Sequence, residues 1–263
     1  MSGEPRPFRS RLGGLRRVAL LGAGLIAWEL IARSGAVSPI IFPSLGNIFR
    51  EFGLLVTRGD RLLEAWYSLH RALGGFALAA VVGVFIGILM GRSTLAAGLF
   101  DPLFSGTYPV PKIALFPIFV FVFGIGSLSK VLLVFLECLY PIVINTFYGT
   151  RAVNRVLLWS SGNMGASPGQ ILWKVVVPAT APFIFAGFRV ALPIAMIVVI
   201  ITEMIGSADG LGYLVIYSMA SLKTDRMLAA VLAIALLGLL LDGLLVLVRS
   251  RLVFWEKQES YYT

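Results

Sequence analysis

A polar stretch, WSSGNMGASPGQILWKVVVP at residues 159–178, interrupts two long apolar segments. Residues 155–164 can form a helix that Gly165 ends, because glycine readily adopts the left-handed conformation that follows helices. Ser167 then stands as the N-cap of a second helix whose first residue is proline and whose third is glutamine, a capping-box arrangement. Pro178 is expected to stop this second helix. The stretch therefore predicts two short helices with a bend between them.

The composition around this stretch is that of an integral membrane protein. Of the 263 residues, 58% are hydrophobic and only 13% are charged, whereas soluble domains contain about 25% charged residues. The formal net charge is +9, which is typical of the Lys and Arg that membrane proteins retain in cytoplasmic loops. After the opening segment, the sequence contains no basic run interleaved with aromatic residues, which is the pattern that would indicate binding to nucleic acid.

Six apolar segments have about the 20 residues that a helix needs to cross a bilayer. All six are expected to be helical, because lipid offers no partners for free backbone groups. Prolines at positions 109, 111 and 117 are expected to break the third helix. The fold class is therefore an all-α membrane protein with six transmembrane helices. The predicted spans cover about residues 16–34, 71–91, 103–125, 128–149, 182–206 and 226–249.

The six spans lie in a single domain, residues 16–255, which places both chain ends on the same side of the membrane. Lys and Arg are enriched on the side that holds the ends and the loop at 150–181, so this side is expected to be cytoplasmic. The tails 1–15 and 256–263 extend from the domain, and their outermost residues are expected to be poorly ordered. The arginine-rich start precedes an apolar run without a small-residue cleavage site, which predicts an uncleaved first span.

An amphipathic helix is predicted on the extracytoplasmic side, within residues 35–70. Ser44 is placed to cap it, and the apolar residues that follow recur at helical spacing, from Leu45 to Val56. That pattern is typical of a helix that lies along a surface rather than across the bilayer. Two roles stay open from the sequence: packing on the membrane surface, or forming part of a docking surface for an external partner.

The loop at 159–178 resembles the EAA loop of the membrane subunits of bacterial ABC importers. The family pattern is Glu-Ala-Ala, three residues, Gly, nine residues and Ile-x-Leu-Pro. Gly165 matches, nine residues follow it, and Val175-x-Val177-Pro178 matches conservatively. Trp159, Ser160 and Ser161 hold the Glu-Ala-Ala positions, so the two small residues are kept in kind and the acidic residue is absent.

The resemblance extends over nearly the whole chain from about Phe42 and is similar to the nitrate, sulfonate and taurine group of permeases. It implies a type I importer permease of the MetI-like fold in a bacterial inner membrane, with a homodimer enclosing the path of a small anionic solute. It also implies an ABC ATPase subunit that binds ATP and Mg²⁺ and an extracytoplasmic substrate-binding protein. The residues that it implies for coupling to the ATPase are Trp159, Ser160, Ser161, Gly165, Ala166, Ser167 and Pro178.

Ionisable residues inside the predicted spans are candidates for function, because burying a charge in the bilayer is costly. Arg189 and Asp242 fall at matching depths at about 1.5 Å per helical residue, which predicts a structural pair. Glu203, next to Thr202, either lines the path or makes an interhelical bond. Glu137 has the same two alternatives.

Two further features have open interpretations in the sequence. Lys112 follows a proline and is suited to attracting an anionic solute if it faces the path. Gly83, Gly87 and Gly91 recur every four residues, a spacing that lets helices approach closely. These glycines predict either packing within the protomer or a seam between two copies.

Other function classes are less well supported by the residues. The chain has no G-x-x-x-x-G-K-[ST] loop, so ATP must be bound by a partner, and this chain needs no cofactor of its own. A stand-alone channel or secondary transporter is the alternative, although the spans lack the dense charge relay of proton coupling. An intramembrane enzyme or a metal site would need clustered ligands. The chain has one histidine, His70, and one cysteine, Cys138, far apart.

Overall fold

The computed structural model describes the backbone of residues 9–255, so most of the predicted tails, residues 1–8 and 256–263, lie outside the described residues. Within that range the chain is helical and contains no β-strand. The helices are α1 (Arg9–Arg33), α2 (Leu45–Thr57), α3 (Gly59–Arg92), α4 (Thr94–Thr107), α5 (Phe116–Phe123), α6 (Ser127–Arg151), α7 (Arg155–Asn163), α8 (Pro168–Ile171), α9 (Val177–Gly206), α10 (Leu211–Ala220) and α11 (Thr224–Leu252).

Four continuous helical segments of the described chain are long and apolar enough to cross a membrane: Arg61–Arg92, Ser127–Arg151, Pro168–Gly206 and Thr224–Leu252. A fifth span results if α4 and the segment Lys112–Phe123, which are bent by 90° relative to each other, are counted as one. Helix α1 is not among them. Arg16 and Arg17 limit its apolar run at one end, and Glu29 and Arg33 limit it at the other. Length and hydropathy therefore support five of the six predicted spans.

The break in the third predicted span lies between Thr107 and Lys112, as its prolines indicated. Two of these prolines, Pro109 and Pro111, cannot donate the backbone hydrogen bonds that would continue α4. A 3₁₀ turn follows at Lys112–Leu115, and the third proline, Pro117, lies in the first turn of α5, where its missing N–H is not needed. Helix α4 begins nine residues before the predicted start of this span, at Thr94, because Ser93 caps it by accepting a hydrogen bond from Ala96 N at 3.2 Å.

Helices α3, α6 and α9 pack together as the core of the protomer. The glycines of α3 lie against α6: a Cβ added at Gly83 would lie 2.8 Å from Ile142 Cγ2, and one at Gly87 2.6 Å from Thr146 Cβ. Gly91 has the same relation to Thr150. Small residues at this spacing allow close helix contact in lipid. Of the two interpretations that the sequence left open, the structure supports packing within the protomer.

The predicted amphipathic helix is α2. Ser44 is its N-cap, and its hydroxyl accepts a hydrogen bond from Asn47 N at 3.3 Å. Ile48 and Leu55 are buried, and α2 packs against α11 and α3. Part of its apolar face therefore completes the protomer, while Phe49 on the same helix is 60% exposed.

One expectation about the polar stretch was wrong: Pro178 does not stop a helix. A π-helical turn at Leu172–Val176 joins α8 to α9, and Val177 N donates to Leu172 O, five residues back. Pro178 then lies in the first turn of α9, where a residue without an N–H is tolerated. Pro168–Gly206 consequently forms one continuous helical segment of 39 residues.

Candidate functional site

The bend between α7 and α8 is built by local hydrogen bonds. Asn154 caps α7 through its Oδ1, which accepts from Val156 N at 2.8 Å. Gly165 follows the helix with a φ of +84°, a conformation that costs little only for glycine. Ser167 N donates to Gln170 Oε1 at 2.9 Å, and Ser167 Oγ accepts from Gln170 N at 3.4 Å. The helix–glycine–helix geometry predicted from the sequence is therefore present.

The bend presents apolar side chains on its outside. Trp159 is 66% exposed, Met164 80% and Trp173 70%; we call these three residues the coupling-loop surface. Of the other predicted coupling residues, Ser160, Gly165 and Ser167 are exposed, and Ser161, Ala166 and Pro178 are half-buried. Exposed apolar patches of this kind mark interaction sites.

The charged residues within the loop at 150–181 have one sign. Arg155 and Lys174 flank the coupling-loop surface and are exposed, and the sequence contains no Asp or Glu between Glu137 and Glu203. A partner that contacts this surface must therefore offer apolar area and accept positive charge.

A buried ion network lies at the other end of the same spans. Arg71 of α3 is 2% exposed. Its Nη1 donates to Glu203 Oε1 at 2.8 Å, its Nη2 to Asp209 Oδ1 at 2.6 Å, and its Nε to Ser127 Oγ at 3.0 Å. One guanidinium thus connects α3, α9, the α9–α10 turn and the start of α6.

The carboxylates of this network have further donors. Glu203 is 1% exposed and also accepts from Ser68 Oγ at 2.7 Å and Gly212 N at 3.1 Å. Glu64 Oε2 accepts from Gly210 N at 2.5 Å, and Gly210 has a φ of +99°. The structure therefore places Glu203 in an interhelical bond, the second of the two interpretations that the sequence allowed.

The sequence indicated only one member of this network. Arg71 is the first residue of the second predicted span, and no pattern in the sequence connects it with Asp209. A usable signal was present, because both fall on the predicted extracytoplasmic side together with Glu203. Buried charges require partners, so a search for opposite charges at that depth would have proposed the pair.

The remaining candidates are not gathered at one place. Lys112 is 6% exposed; its Nζ donates to Tyr108 O at 3.3 Å and Val110 O at 3.2 Å and lies 3.8 Å from the Tyr140 ring centroid. It therefore satisfies carbonyls at the break rather than facing an open path in the protomer. Thr202 Oγ1 donates to Val199 O at 2.8 Å.

Two other predictions concern charged residues deeper in the helices. Arg189 Nε lies 3.5 Å from Asp242 Oδ1, with side chains 50% and 40% exposed, so the structure brings the predicted pair together at the protomer surface. Glu137 is half-buried in α6, and among residues 9–255 the structure gives it no hydrogen bond or ion pair. Its role stays a prediction.

The network predicts how stability responds to acid. Burial raises the pKa of Asp209, but hydrogen bonds from Arg71 and Ser207 and the charges of Arg71 and Lys130 outweigh it, so the pKa lies below its ordinary value of 3.8. A carboxyl whose folded pKa is depressed stabilises the fold above its unfolded pKa and loses this effect as the pH falls through the folded value.

We therefore expect the contribution of Asp209 to be constant from pH 8 to 5 and to decrease progressively as the pH falls below about 3.8 toward the lower folded pKa. The test compares thermal unfolding of the detergent-solubilised protein with that of the Asp209→Asn variant between pH 8 and 3. The difference between the two proteins should shrink in acid. A difference that is independent of pH would contradict the expectation.

Comparison with known proteins identifies the family of this chain. Residues 79–254 match the family described as binding-protein-dependent transport system inner membrane component. The taurine transport system permease protein TauC of Escherichia coli is 30% identical over 245 residues, which cover 91% of this chain and 89% of the relative. A Bacillus subtilis relative, SsuC, named for aliphatic sulfonates transport, is 32% identical over 95% of this chain and 91% of its own length.

A third relative is the formylaminopyrimidine transport permease protein ThiX of Halalkalibacterium halodurans, 30% identical over 89% of this chain and 93% of the relative. Among solved structures, the inward-facing MetNI methionine ABC transporter matches with a TM-score of 0.54 at 18% identity, covering 70% of this chain and 95% of that chain. That likeness concerns the fold. The family match and the three relatives show that this chain belongs to the binding-protein-dependent transport system inner membrane components and is a multi-pass permease subunit of an ABC importer, not itself an enzyme.

Proposed function

We propose that this chain forms the translocation path for a small anionic solute and is driven by an ATPase subunit that docks on the loop at 150–181. The observation that carries the proposal is the rigid bend of α7 and α8, which exposes Trp159, Met164 and Trp173 and continues into α9. The relatives named for taurine and aliphatic sulfonates favour a sulfonate-class solute. ThiX and TauC are both 30% identical to this chain, so sequence identity does not distinguish between their substrates. A transport assay has to identify the solute.

The proposed orientation puts both chain ends and the coupling-loop surface in the cytoplasm. Arginines end α3 and α6 at Arg92 and Arg151, and Arg249 and Arg251 lie in the last turn of α11. These helix ends share one side if α4 and α5 together cross once, and excess positive charge favours the cytoplasmic side. The sixth span is then α1, and the network of Arg71 lies at the extracytoplasmic end.

The continuous helix Pro168–Gly206 supports a mechanism of force transmission. A displacement of α8 by the ATPase is carried through the π-helical turn along α9 to Glu203 and the Arg71 network. ATP favours the outward-open state because the closed ATPase pair binds it more tightly than the open pair does. Two copies of this chain enclose the path, and a substrate-binding protein delivers the solute from outside.

The chemistry of the coupling-loop surface defines the partner's cleft. Trp159 stands where the family has an acidic residue, so this chain cannot offer a carboxylate to a basic residue of the ATPase at that position. We propose instead that the ATPase cleft has apolar walls for Trp159 and acidic residues near Lys174. Such complementarity favours the correct ATPase over those built for the acidic pattern.

Replacing Trp159 with alanine is expected to weaken ATPase binding about 30-fold, because a large aromatic anchor at an interface contributes about 2 kcal/mol or more. The complex is extracted from native membranes in mild detergent, and the bound subunit is quantified by mass spectrometry and ATP hydrolysis. Deleting residues 159–165 or replacing Gly165 with valine should release the ATPase entirely.

The matched control is Trp66→Ala, because Trp66 is 58% exposed but lies near the opposite end of the spans. This variant should retain the ATPase. Equal ATPase retention by all four variants, or solute transport by the isolated chain without any ATPase, would show that the proposed coupling is wrong.

A further inference from the structure

A basic cavity of about 360 Å³ lies where α3 meets α4 beside the α6–α7 junction. Its charged lining residues are Arg92, Arg151 and Arg155, and within the described part of the chain no acidic residue lines it. The cavity adjoins the coupling-loop surface, because Arg155 borders both, but it shares no residue with Trp159, Met164 and Trp173. All three side chains are exposed, so water screens much of their mutual repulsion, and an anion in the cavity would lower it further.

None of the three arginines takes part in an ion pair among the described residues. The nearest aromatic contact is that of Arg151, whose guanidinium carbon lies 5.5 Å from the Phe147 ring centroid. Arg71, by contrast, has two carboxylate partners. The positive charge of the cavity is therefore not neutralised by the described protein.

A buried hydroxyl gives a second, independent observation. Thr150 lines the cavity and is 4% exposed, yet its Oγ1 has no hydrogen-bond partner among the described residues. Buried polar groups in folded proteins are nearly always paired, so this hydroxyl is a candidate donor to a water or ligand in the cavity. Its methyl side lies against Gly91, so the packing of α3 on α6 holds this residue in place.

Two helix starts add donors to the same cavity. Thr94 is the first residue of α4, which Ser93 caps, and Arg155 is the first residue of α7, which Asn154 caps. The caps already take the N–H groups of Ala96 and Val156. The N–H groups of the first residues, Thr94 and Arg155, have no intrahelical acceptor, and such groups favour anions. The cavity thus combines guanidinium, hydroxyl and helix-terminal N–H donors. No carboxylate of the described residues lines it.

We propose that this cavity binds a phosphate group, as carried by the headgroup of an anionic phospholipid. Arginine pairs with phosphate through two parallel hydrogen bonds, which suits the donors on this wall. Arg92 and Arg151 end two membrane spans, which is the level at which headgroups lie, and basic pockets between spans are suited to such headgroups. Placing the site in the cytoplasmic leaflet rests on the proposed function, whereas the binding itself does not.

The test measures lipid retention by the full-length protein. Delipidated protein in detergent is incubated with equal amounts of phosphatidylglycerol and phosphatidylcholine, and the bound lipid is counted by native mass spectrometry. Phosphatidylglycerol should be enriched on the wild-type protein. In the variant with Arg92, Arg151 and Arg155 all changed to Gln, the enrichment of phosphatidylglycerol should be at least about tenfold lower than in the wild type. Each substitution removes charge-assisted hydrogen bonds to the phosphate group.

Matched controls separate the site from general charge. A variant with Arg50, Arg58 and Arg251 changed to Gln removes the same charge from exposed positions outside the cavity and should retain the enrichment. Thr150→Val keeps the volume of the side chain, removes one donor and should lower the enrichment a few-fold with the fold intact. Trp159→Ala should leave lipid binding unchanged, so failure of the coupling proposal is distinguishable from failure of this one.

A second arm distinguishes the source of the phosphate group. Inorganic phosphate is titrated into the lipid-free protein by calorimetry, with the arginine variant as the reference. Phosphate binding that depends on the three arginines but without enrichment of phosphatidylglycerol would assign the cavity to a soluble phosphate compound. No arginine-dependent binding in either arm, or equal loss in the control variant, would overturn the proposal.

Discussion

Replacing Arg71 with alanine is expected to lower the free energy of unfolding by about 3–5 kcal/mol, the usual result of removing one partner from a buried ion pair. The loss arises because Glu203, 1% exposed, would keep a carboxylate in a low-dielectric interior without its counter-charge. Asp209 would lose its partner as well. Unfolding in detergent micelles, followed by tryptophan fluorescence against a denaturant, gives the difference.

The control for this experiment is Arg33→Ala. Arg33 pairs with Glu29 at 2.6 Å, but its side chain is 73% exposed, and exposed pairs contribute little to stability. A double variant, Arg71→Met with Glu203→Gln, should recover part of the stability lost in Arg71→Ala, because it removes the unpaired charge. If Arg71→Ala cost no more than Arg33→Ala, the network would not hold α3 to α9.

Replacing Gly87 with valine is expected to destabilise the protein by about 3 kcal/mol or more, through overpacking of the α3–α6 contact. A Cβ at Gly87 would already lie 2.6 Å from Thr146 Cβ and 2.9 Å from Val143 O. Because one of these atoms belongs to the backbone, a side-chain rotation cannot relieve the overlap. Protein yield and denaturant unfolding in micelles both report the effect.

Gly98→Val is the matched control, because a Cβ at Gly98 in α4 would meet no atom within 4 Å. It should leave stability within about 0.5 kcal/mol or raise it slightly, since glycine is a poorer helix former than valine. The exchange of sizes in Gly87→Ala with Thr146→Gly should restore part of the loss. Equal stability of Gly87→Val and Gly98→Val would mean that α3 and α6 are not in close contact.

The local structure of the coupling loop followed from the sequence because its determinants are close together in the chain. The capping-box partners Ser167 and Gln170 lie three positions apart, and the bend at Gly165 depends on the conformational freedom of that single residue. The break near Pro109 and Pro111 is also local, since each proline removes a hydrogen bond within its own turn.

The sequence predicted a helix end at Pro178, but the helical segment continues through this residue. A proline inside an α-helix removes one hydrogen bond and crowds the carbonyl four residues back. The π-helical turn at Leu172–Val176 shifts the hydrogen-bond register before Pro178, and α9 also continues through Pro182 and Pro193. Nothing in the residues of that turn distinguishes it from an ordinary helical turn. The result matters for the mechanism, because it joins the coupling helices to α9 as one segment.

The network of Arg71, Glu203 and Asp209 was not predictable in the same way. Arg71 and Glu203 are 132 positions apart, and their meeting depends on how α3 packs against α9. The spacing of Gly83, Gly87 and Gly91 likewise indicated a close helix contact but not its partner. Only the position of Ile142 and Thr146 opposite them identifies α6 as that partner.

The amino-acid sequence alone determined the membrane class, most of the spans and the bent loop, since hydropathy and capping act on neighbouring residues. The tertiary structure decided which charges are paired, which helix faces the glycines and where three unpaired arginines surround one cavity. The physical reason is that lipid makes every span similarly apolar, so composition does not encode which spans adjoin. Burial of charge and steric fit encode it, and both act between residues distant in the chain.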